Sequence, residues 1–164
     1  NLTFFTNNKQ INLTNEQSIY YNLLTNNIDK TILNLNCDNN NYSLLINESK
    51  TTKNYNKKNK EFTYKIDIKS IVNNYECNLD LQKENNIKKL NKISNKEIQT
   101  KINELINIQK ENNYDFLGIK NYIYKHDKKN NLNDIKINIL INNEIASIGE
   151  IRKWKMKKKL IVSL

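Results

Sequence analysis

The most constraining feature of the sequence is the recurrence of an apolar residue at every second position in two separate segments. Every second residue from Phe62 to Ile68 is apolar, and the residues between them are polar or charged. Isoleucines recur at the same spacing from Ile135 to Ile141. Side chains of a strand point alternately to the two faces of a sheet, so this period of two predicts strands with one buried face. The chain must therefore fold around a sheet that is packed on one side.

Shorter strands are expected nearer the N-terminus. Residues 2–6 are rich in strand-forming side chains and lead into a turn. Residues 31–36 and 42–47 flank an asparagine-rich turn and predict a hairpin. The lysine-rich residues 50–60 that follow are interpreted as an exposed loop.

Two capping boxes mark helix starts. Thr14 and Gln17 have the spacing at which a hydroxyl and an amide each bind a free backbone N–H, and this helix should end near residues 25–27. Ser94 and Glu97 repeat the pattern and predict the start of a second, longer helix.

The second helix is amphipathic. Residues 83–93 before it are only weakly helical in character, and Glu97 and Lys101 are spaced for an ion pair on its surface. Its apolar stripe consists of Ile98, Ile102, Leu105 and Ile106. Gln109 falls in the middle of that stripe. A buried amide must find hydrogen-bond partners or cost about 1–3 kcal/mol.

A sharp change of direction is expected after this helix. Asp115 follows the helix end, and Phe116, Ile119 and Ile123 repeat at helical spacing immediately afterwards. Asp115 is therefore expected to cap a second, short helix. Gly118 lies in the predicted first turn, where a side chain is expected to clash with neighbouring backbone.

The order of elements predicts the α+β class, with a mainly antiparallel sheet of about four to six strands. The helices pack on one face and include one long amphipathic helix. Residues 1–150 are expected to form the domain, and residues 151–164 a basic tail. The chain begins with Asn1, and we interpret it as an excised fragment.

The net charge of +10 is concentrated in two stretches without acidic residues, residues 50–60 and the tail. Such runs are usually solvated, and their other uses are attraction to anionic lipid or to nucleic acid. No apolar run approaches the length of a membrane span.

The sequence offers little for catalysis. His126 is the only histidine, which excludes multi-histidine metal sites, and it is interpreted as a surface residue. Cys37 and Cys77 are not at a metal-binding spacing, so two thiols and one disulfide are both possible. The two glycines are isolated, so no phosphate-binding loop is present. We predict no catalytic residue, cofactor or metal, and a protein that is not an enzyme.

Residues 102–118 resemble the signature of the Ger(x)C family. The signature is an amphipathic helix, a glutamine, five residues, an aspartate, two apolar residues and a glycine, which corresponds here to Gln109, Asp115 and Gly118. Gly149 and the N-terminal residues also fall where that family has them. The family usually carries tryptophans before the last strand, whereas the only tryptophan here is Trp154 in the tail.

The resemblance implies a C subunit of bacterial spore germinant receptors. Such subunits are held by a lipid anchor, which would lie outside this fragment, on the outer face of the spore inner membrane beside integral-membrane partner subunits. The implied role is docking or coupling, with Gln109, Asp115, Gly118 and Gly149 in structural or interaction roles. Two alternatives remain open at this point. A domain that binds the small-molecule germinant would have an apolar pocket with convergent polar groups. A basic nucleic-acid-binding module would show a steep salt dependence of binding and a continuous basic face. Nucleic acid is not the expected partner, because no known recognition signature is present.

Overall fold

We describe a computed structural model of the chain over residues 1–6, 9–28, 30–37, 40–128 and 135–146. These residues form six strands and three helices. The strands are β1 (Leu2–Phe5), β2 (Gln10–Leu13), β3 (Thr31–Cys37), β4 (Asn40–Asn56), β5 (Glu61–Tyr75) and β6 (Lys136–Ile145). The helices are α1 (Asn15–Thr25), α2 (Glu84–Asn112) and α3 (Ile119–His126).

The main sheet has four strands in the order β3-β4-β5-β6, and β1 and β2 form a separate pair. The pairs β1–β2, β3–β4 and β4–β5 are antiparallel, whereas β6 runs parallel to β5. Parallel neighbours need a long crossover, and here the chain makes it through α2 and α3. The predicted α+β class and mainly antiparallel sheet are confirmed.

The exposed loop predicted for residues 50–60 is wrong. Strand β4 continues through most of this stretch, and the turn to β5 occupies only residues 57–60. Thr51, Lys53 and Tyr55 each lie opposite a buried residue of β5. The polar composition of this stretch conceals its alternation, and pairing with the strongly alternating β5 provides the partner that a strand needs.

Helix α1 begins and ends as predicted. The capping box between Thr14 and Gln17 is formed, and the helix ends at Asn26, which adopts a left-handed conformation with φ 58°. The Asn26 side chain then binds both the N–H and the carbonyl of Thr51, at 2.6 and 2.8 Å. The end of α1 is therefore held against β4.

The helix start predicted at Ser94 is wrong, because α2 is one continuous helix of 29 residues. Ser94 lies in its interior and is fully buried. Its hydroxyl donates to the Leu90 carbonyl at 2.7 Å and lies 2.9 Å from the Tyr42 hydroxyl. These two bonds satisfy the serine inside the core, so it does not act as a cap.

The ion pair predicted between Glu97 and Lys101 does not form. The Glu97 carboxylate accepts hydrogen bonds from the backbone and the side chain of Asn36, at 2.7 and 3.1 Å. Lys101 lies 3.3 Å from Glu16 instead. Both side chains tie α2 to neighbouring elements, which periodicity within one helix does not reveal.

The core lies between the helices and one face of the sheet. Its largest fully buried side chains include Tyr20, Tyr42, Tyr64 and Phe62. The opposite face of the sheet carries mainly polar and charged residues, with ion pairs such as Lys69–Glu48 at 2.9 Å. This arrangement places the α2–α3 connection over the end of the sheet where β4 turns into β5.

Candidate functional site

The candidate site is the α2–α3 junction, which we define as residues 113–118. Of the four residues predicted from sequence, Asp115 and Gly118 lie in this junction and Gln109 lies one turn before it. Gly149 lies outside the described residues. The structure thus brings three of the four positions together.

Helix α2 ends at a residue with a left-handed backbone conformation, and the chain changes direction there. Asn113 has φ 49°, and its N–H bonds back to the Lys110 carbonyl at 3.0 Å. The N–H of Tyr114 bonds to the Gln109 carbonyl at 3.3 Å. This pair of bonds is typical of a helix that ends in a tight turn, and asparagine tolerates the conformation it needs.

Gln109 anchors the junction from within α2. It is 6% exposed, and its Oε1 accepts a hydrogen bond from the backbone N–H of Leu117 at 2.7 Å. Leu117 itself is buried. The predicted need of this amide for a partner is confirmed, and the partner is a backbone group that would otherwise be left unpaired in the core.

The carbonyl of Leu117 is held from the other side by the sheet. It accepts hydrogen bonds from Lys53 Nζ at 3.3 Å and from the Tyr64 hydroxyl at 3.4 Å. The Tyr122 hydroxyl of α3 in turn donates to the Lys53 carbonyl at 2.8 Å. One peptide segment at Leu117 therefore joins α2 to β4 and β5, and a second bond joins α3 to β4.

Lys53 and Tyr64 are perturbed by this enclosed position. Burial lowers the pKa of Lys53, and the carboxylate of Asp115 opposes that shift. Burial also raises the pKa of Tyr64, and Asp115 raises it further. The Lys53 ammonium lies 5.6 Å from the centre of the Tyr64 ring, within cation–π range.

Asp115 contributes to the start of α3, but from a distance. Its Oδ2 accepts a hydrogen bond from the N–H of Asn121 at 3.0 Å, and its carbonyl accepts from the N–H of Gly118 at 3.1 Å. The prediction that Asp115 is the cap residue is wrong, because α3 begins at Ile119 and Gly118 is its N-cap residue. Its Oδ1 is buried and forms no hydrogen bond within the described part of the chain.

Gly118 is needed for its backbone conformation. It precedes α3 with φ +69°, a left-handed conformation that side-chain-bearing residues adopt at a cost. A Cβ built at this position meets nothing within 4 Å. The predicted steric clash is therefore wrong.

The N-terminal strand pair covers the outer side of the junction through aromatic contacts. The Phe4 ring stacks on Phe116 with centroids 5.0 Å apart, and it also meets Tyr21 edge-on at 5.3 Å. Tyr114 lies at the rim of this cluster, 6.4 Å from Phe4. Such pairs contribute about 0.5–1.5 kcal/mol each beyond area burial, so they help to hold the junction in place.

The two cysteines, whose state the sequence left open, form a disulfide. Cys37 at the end of β3 is bonded to Cys77, which follows β5, and their Cα atoms are 6.1 Å apart. The bond closes a loop with a sequence separation of 40. It fixes the end of the sheet farthest from the β4–β5 turn.

Nothing in the described residues suggests a metal centre or a transmembrane helix. No group of three or more histidine, cysteine or acidic residues there could hold a metal ion. None of the helices described is both long and apolar enough to cross a bilayer. His126 is exposed, as predicted, with Nδ1 2.8 Å from the Tyr122 carbonyl.

A surface pocket of about 480 Å³ lies over the sheet near a bulge in β4. Half of its lining residues are charged: Glu48, Lys50, Asp67, Lys69 and Glu144. Two of them already pair with each other, Lys69 with Glu48. This is not the apolar pocket with convergent polar groups expected of a germinant-binding domain.

Lys53 and Tyr64 were not singled out in the sequence. Tyr64 belongs to the alternating segment, whose pattern predicts only that it is a core residue. Lys53 stands between Thr51 and Tyr55 at a spacing of two, so a strand through this stretch would have placed it on the buried face. A lysine on a buried face needs a partner, and that is the signal that could have identified it.

A family model matches most of the chain. The model described as "Spore germination B3/ GerAC like, C-terminal" matches residues 2–149. The chain belongs to this family. The resemblance to the Ger(x)C family seen in residues 102–118 is confirmed.

A solved structure has the same fold as this Spore germination B3/GerAC-like domain. The structure described as "Crystal Structure of the GerBC protein" matches with a TM-score of 0.65 at 14% sequence identity. The match covers 85% of this chain and 48% of that chain, so the chain spans about half the length of the solved relative. At this identity the likeness shows the fold alone. No curated protein matches the chain.

Proposed function

We propose that this domain is a non-catalytic docking or coupling module of a germinant-receptor C subunit. It acts with integral-membrane receptor subunits in nutrient-triggered spore germination. The whole protein would be lipid-anchored at the outer face of the spore inner membrane, or at the cell membrane, of a spore-forming bacterium. Family membership supports the receptor assignment. The observation that carries the coupling role is the convergence of α2, β4 and β5 on Leu117.

A coupling module needs elements that move together. The Leu117 N–H donates to Gln109 on α2, and the Leu117 carbonyl accepts a hydrogen bond from Lys53 on β4. A displacement of the hairpin formed by β4 and β5 would therefore also displace the α2–α3 junction. Three hydrogen bonds and a packed core make such a unit stiff rather than adaptable. This geometry supports transmission of a partner's movement better than it supports ligand capture.

The test is co-purification of the full-length, lipidated protein from spore inner membranes, with and without this domain. Loss of the integral-membrane subunits on deletion would support a docking role. Retention of these subunits with failed germination would support coupling. Normal complexes and normal germination after deletion would refute the proposal.

Point variants separate function from folding. Asp115→Asn keeps the size of the side chain but removes the charge beside Lys53 and Asn121. A matched control is Ile98→Val, which removes one buried methyl group far from the junction and costs about 0.5–1.5 kcal/mol. If germination rates follow stability equally in both variants, Asp115 has only a structural role.

A further inference from the structure

The fold gathers much of the positive charge of the described residues at one end. Residues 57–60 form the exposed β4–β5 turn and include Lys57, Lys58 and Lys60. The C-terminal end of α3 lies beside this turn, because Lys57 Nζ is 3.4 Å from Asp127.

Strand β6 starts at the same end of the sheet. The backbone N–H of Lys136 donates to the Lys60 carbonyl at 3.0 Å, which places its side chain next to the turn. We define the basic end as six exposed lysines contributed by three separate segments: Lys57, Lys58, Lys60, Lys125, Lys128 and Lys136.

Acidic residues neutralise only part of this charge. Within residues 54–64, 119–128 and 136 the carboxylates are Glu61 and Asp127. Each is already close to a lysine of the basic end, Glu61 to Lys136 at 3.3 Å and Asp127 to Lys57. The basic end therefore keeps an excess of positive charge, whereas ion pairs such as Lys69–Glu48 balance charge farther along the sheet.

We infer that the basic end docks on anionic lipid headgroups and thereby orients the domain on a membrane surface. The inference rests on the proposed function for the presence of a membrane nearby. Each lysine near an anionic bilayer contributes about 1 kcal/mol to partitioning, which is roughly a factor of five.

The shape and chemistry of the basic end favour lipid over nucleic acid. The lysines sit on an exposed turn, at a helix end and at the start of a strand, whereas single-stranded nucleic acid is usually bound along a continuous basic groove with stacking aromatic side chains. Tyr124, one residue before Lys125, is 57% exposed. A tyrosine of this kind suits the bilayer interface, where the ring meets apolar chains and the hydroxyl meets water.

Vesicle binding by the full chain tests the inference. Binding of the unmodified protein is measured to two kinds of vesicle, phosphatidylcholine alone and phosphatidylcholine with about one quarter phosphatidylglycerol. The salt concentration is about 0.1 M, at which the Debye length is about 10 Å. The test variant is Lys58→Gln, Lys60→Asn and Lys125→Gln together. Asparagine is chosen at Lys60 because this residue has φ 51°, which asparagine tolerates. Lys57 is left unchanged to keep its pair with Asp127.

The control removes the same amount of charge from the exposed surface of α2: Lys89→Gln, Lys92→Gln and Lys96→Gln. This part of α2 packs near Tyr42, at the opposite end of β4 from the turn. The basic residues of 151–164 are present in every variant, so differences between variants report on the basic end. Circular dichroism melts confirm that all three proteins fold.

We expect binding to vesicles that contain phosphatidylglycerol to fall on the order of 100-fold in the test variant and only a few-fold in the control. Equal losses in the two variants, or no loss in either, would overturn the inference. So would equally tight binding of a single-stranded oligonucleotide that is lost in parallel with lipid binding. Because the assay uses vesicles without receptor subunits, it can fail while co-purification from spores succeeds, and the reverse also holds.

Discussion

Removal of the Gln109 side-chain amide should destabilise the domain mainly through one backbone group. The N–H of Leu117 donates to Gln109 Oε1 at 2.7 Å in a buried position. Gln109→Met keeps most of the volume and removes the acceptor, so the cost should be that of an unsatisfied buried N–H, about 1–3 kcal/mol. Gln109→Ala adds a cavity and should cost about 1–2 kcal/mol more.

The same helix offers a matched control. Gln99 is exposed, and its Nε2 donates to the Ile139 carbonyl at 3.2 Å. Water can replace that bond, so Gln99→Ala should cost no more than about 1 kcal/mol. Urea unfolding of the three variants measures these differences, and each kcal/mol should lower the thermal midpoint by roughly 2–4 °C in a domain of this size.

Hydrogen exchange locates the effect. In Gln109→Met the amide of Leu117 should exchange roughly 10- to 100-fold faster than in the unmodified protein, beyond any change shared by the whole domain. The reasoning is refuted if Gln109→Met is no less stable than Gln99→Ala, or if the Leu117 amide keeps its protection.

Three further predictions concern other parts of the fold. Gly118→Ala should cost about 1–2 kcal/mol in urea unfolding, because alanine must adopt φ +69° although its Cβ has room; a much larger cost would indicate a hidden clash. Reduction of the Cys37–Cys77 disulfide should cost about 4 kcal/mol, seen as a lower urea midpoint with reductant, and the Cys37→Ser, Cys77→Ser protein should show no such shift. Burial raises the pKa of Tyr42 to about 12, so the folded state keeps a proton that the unfolded chain releases near pH 10. The contribution of Tyr42 to the free energy of unfolding should be fully present below pH 10 and should fall by roughly 1.4 kcal/mol per pH unit between pH 10 and pH 12. Chemical unfolding across this pH range should show a shallower decline for Tyr42→Phe than for the unmodified protein.

Periodicity was sufficient wherever one face of an element is buried and the other is solvated. Strand β5 and the apolar stripe of α2 follow directly from that contrast. It failed in the second part of β4, where asparagine and lysine are frequent and the half-buried Lys53 looks like a surface residue. It also missed β2, because four residues before a helix cap are too few to show a pattern.

Local motifs were reliable only where their partners are also local. The Thr14–Gln17 capping box formed because both groups bond within the same turn. The equivalent capping box at Ser94 does not form, because the serine hydroxyl is hydrogen-bonded to the Tyr42 hydroxyl and to the Leu90 carbonyl inside the core. The Glu97 carboxylate likewise accepts a hydrogen bond from Asn36 in the edge strand β3.

The sequence by itself determined the α+β class, the long amphipathic helix, the burial of Gln109 and the family to which the chain belongs. Each of these depends on spacing along the chain, which is present before folding. Only the tertiary structure decided that Leu117 is the point where α2 meets Lys53 and Tyr64, that the cysteines are joined, and that lysines from three segments form one basic end. Those features depend on groups forty or more residues apart in the chain, and only the packed core brings them together.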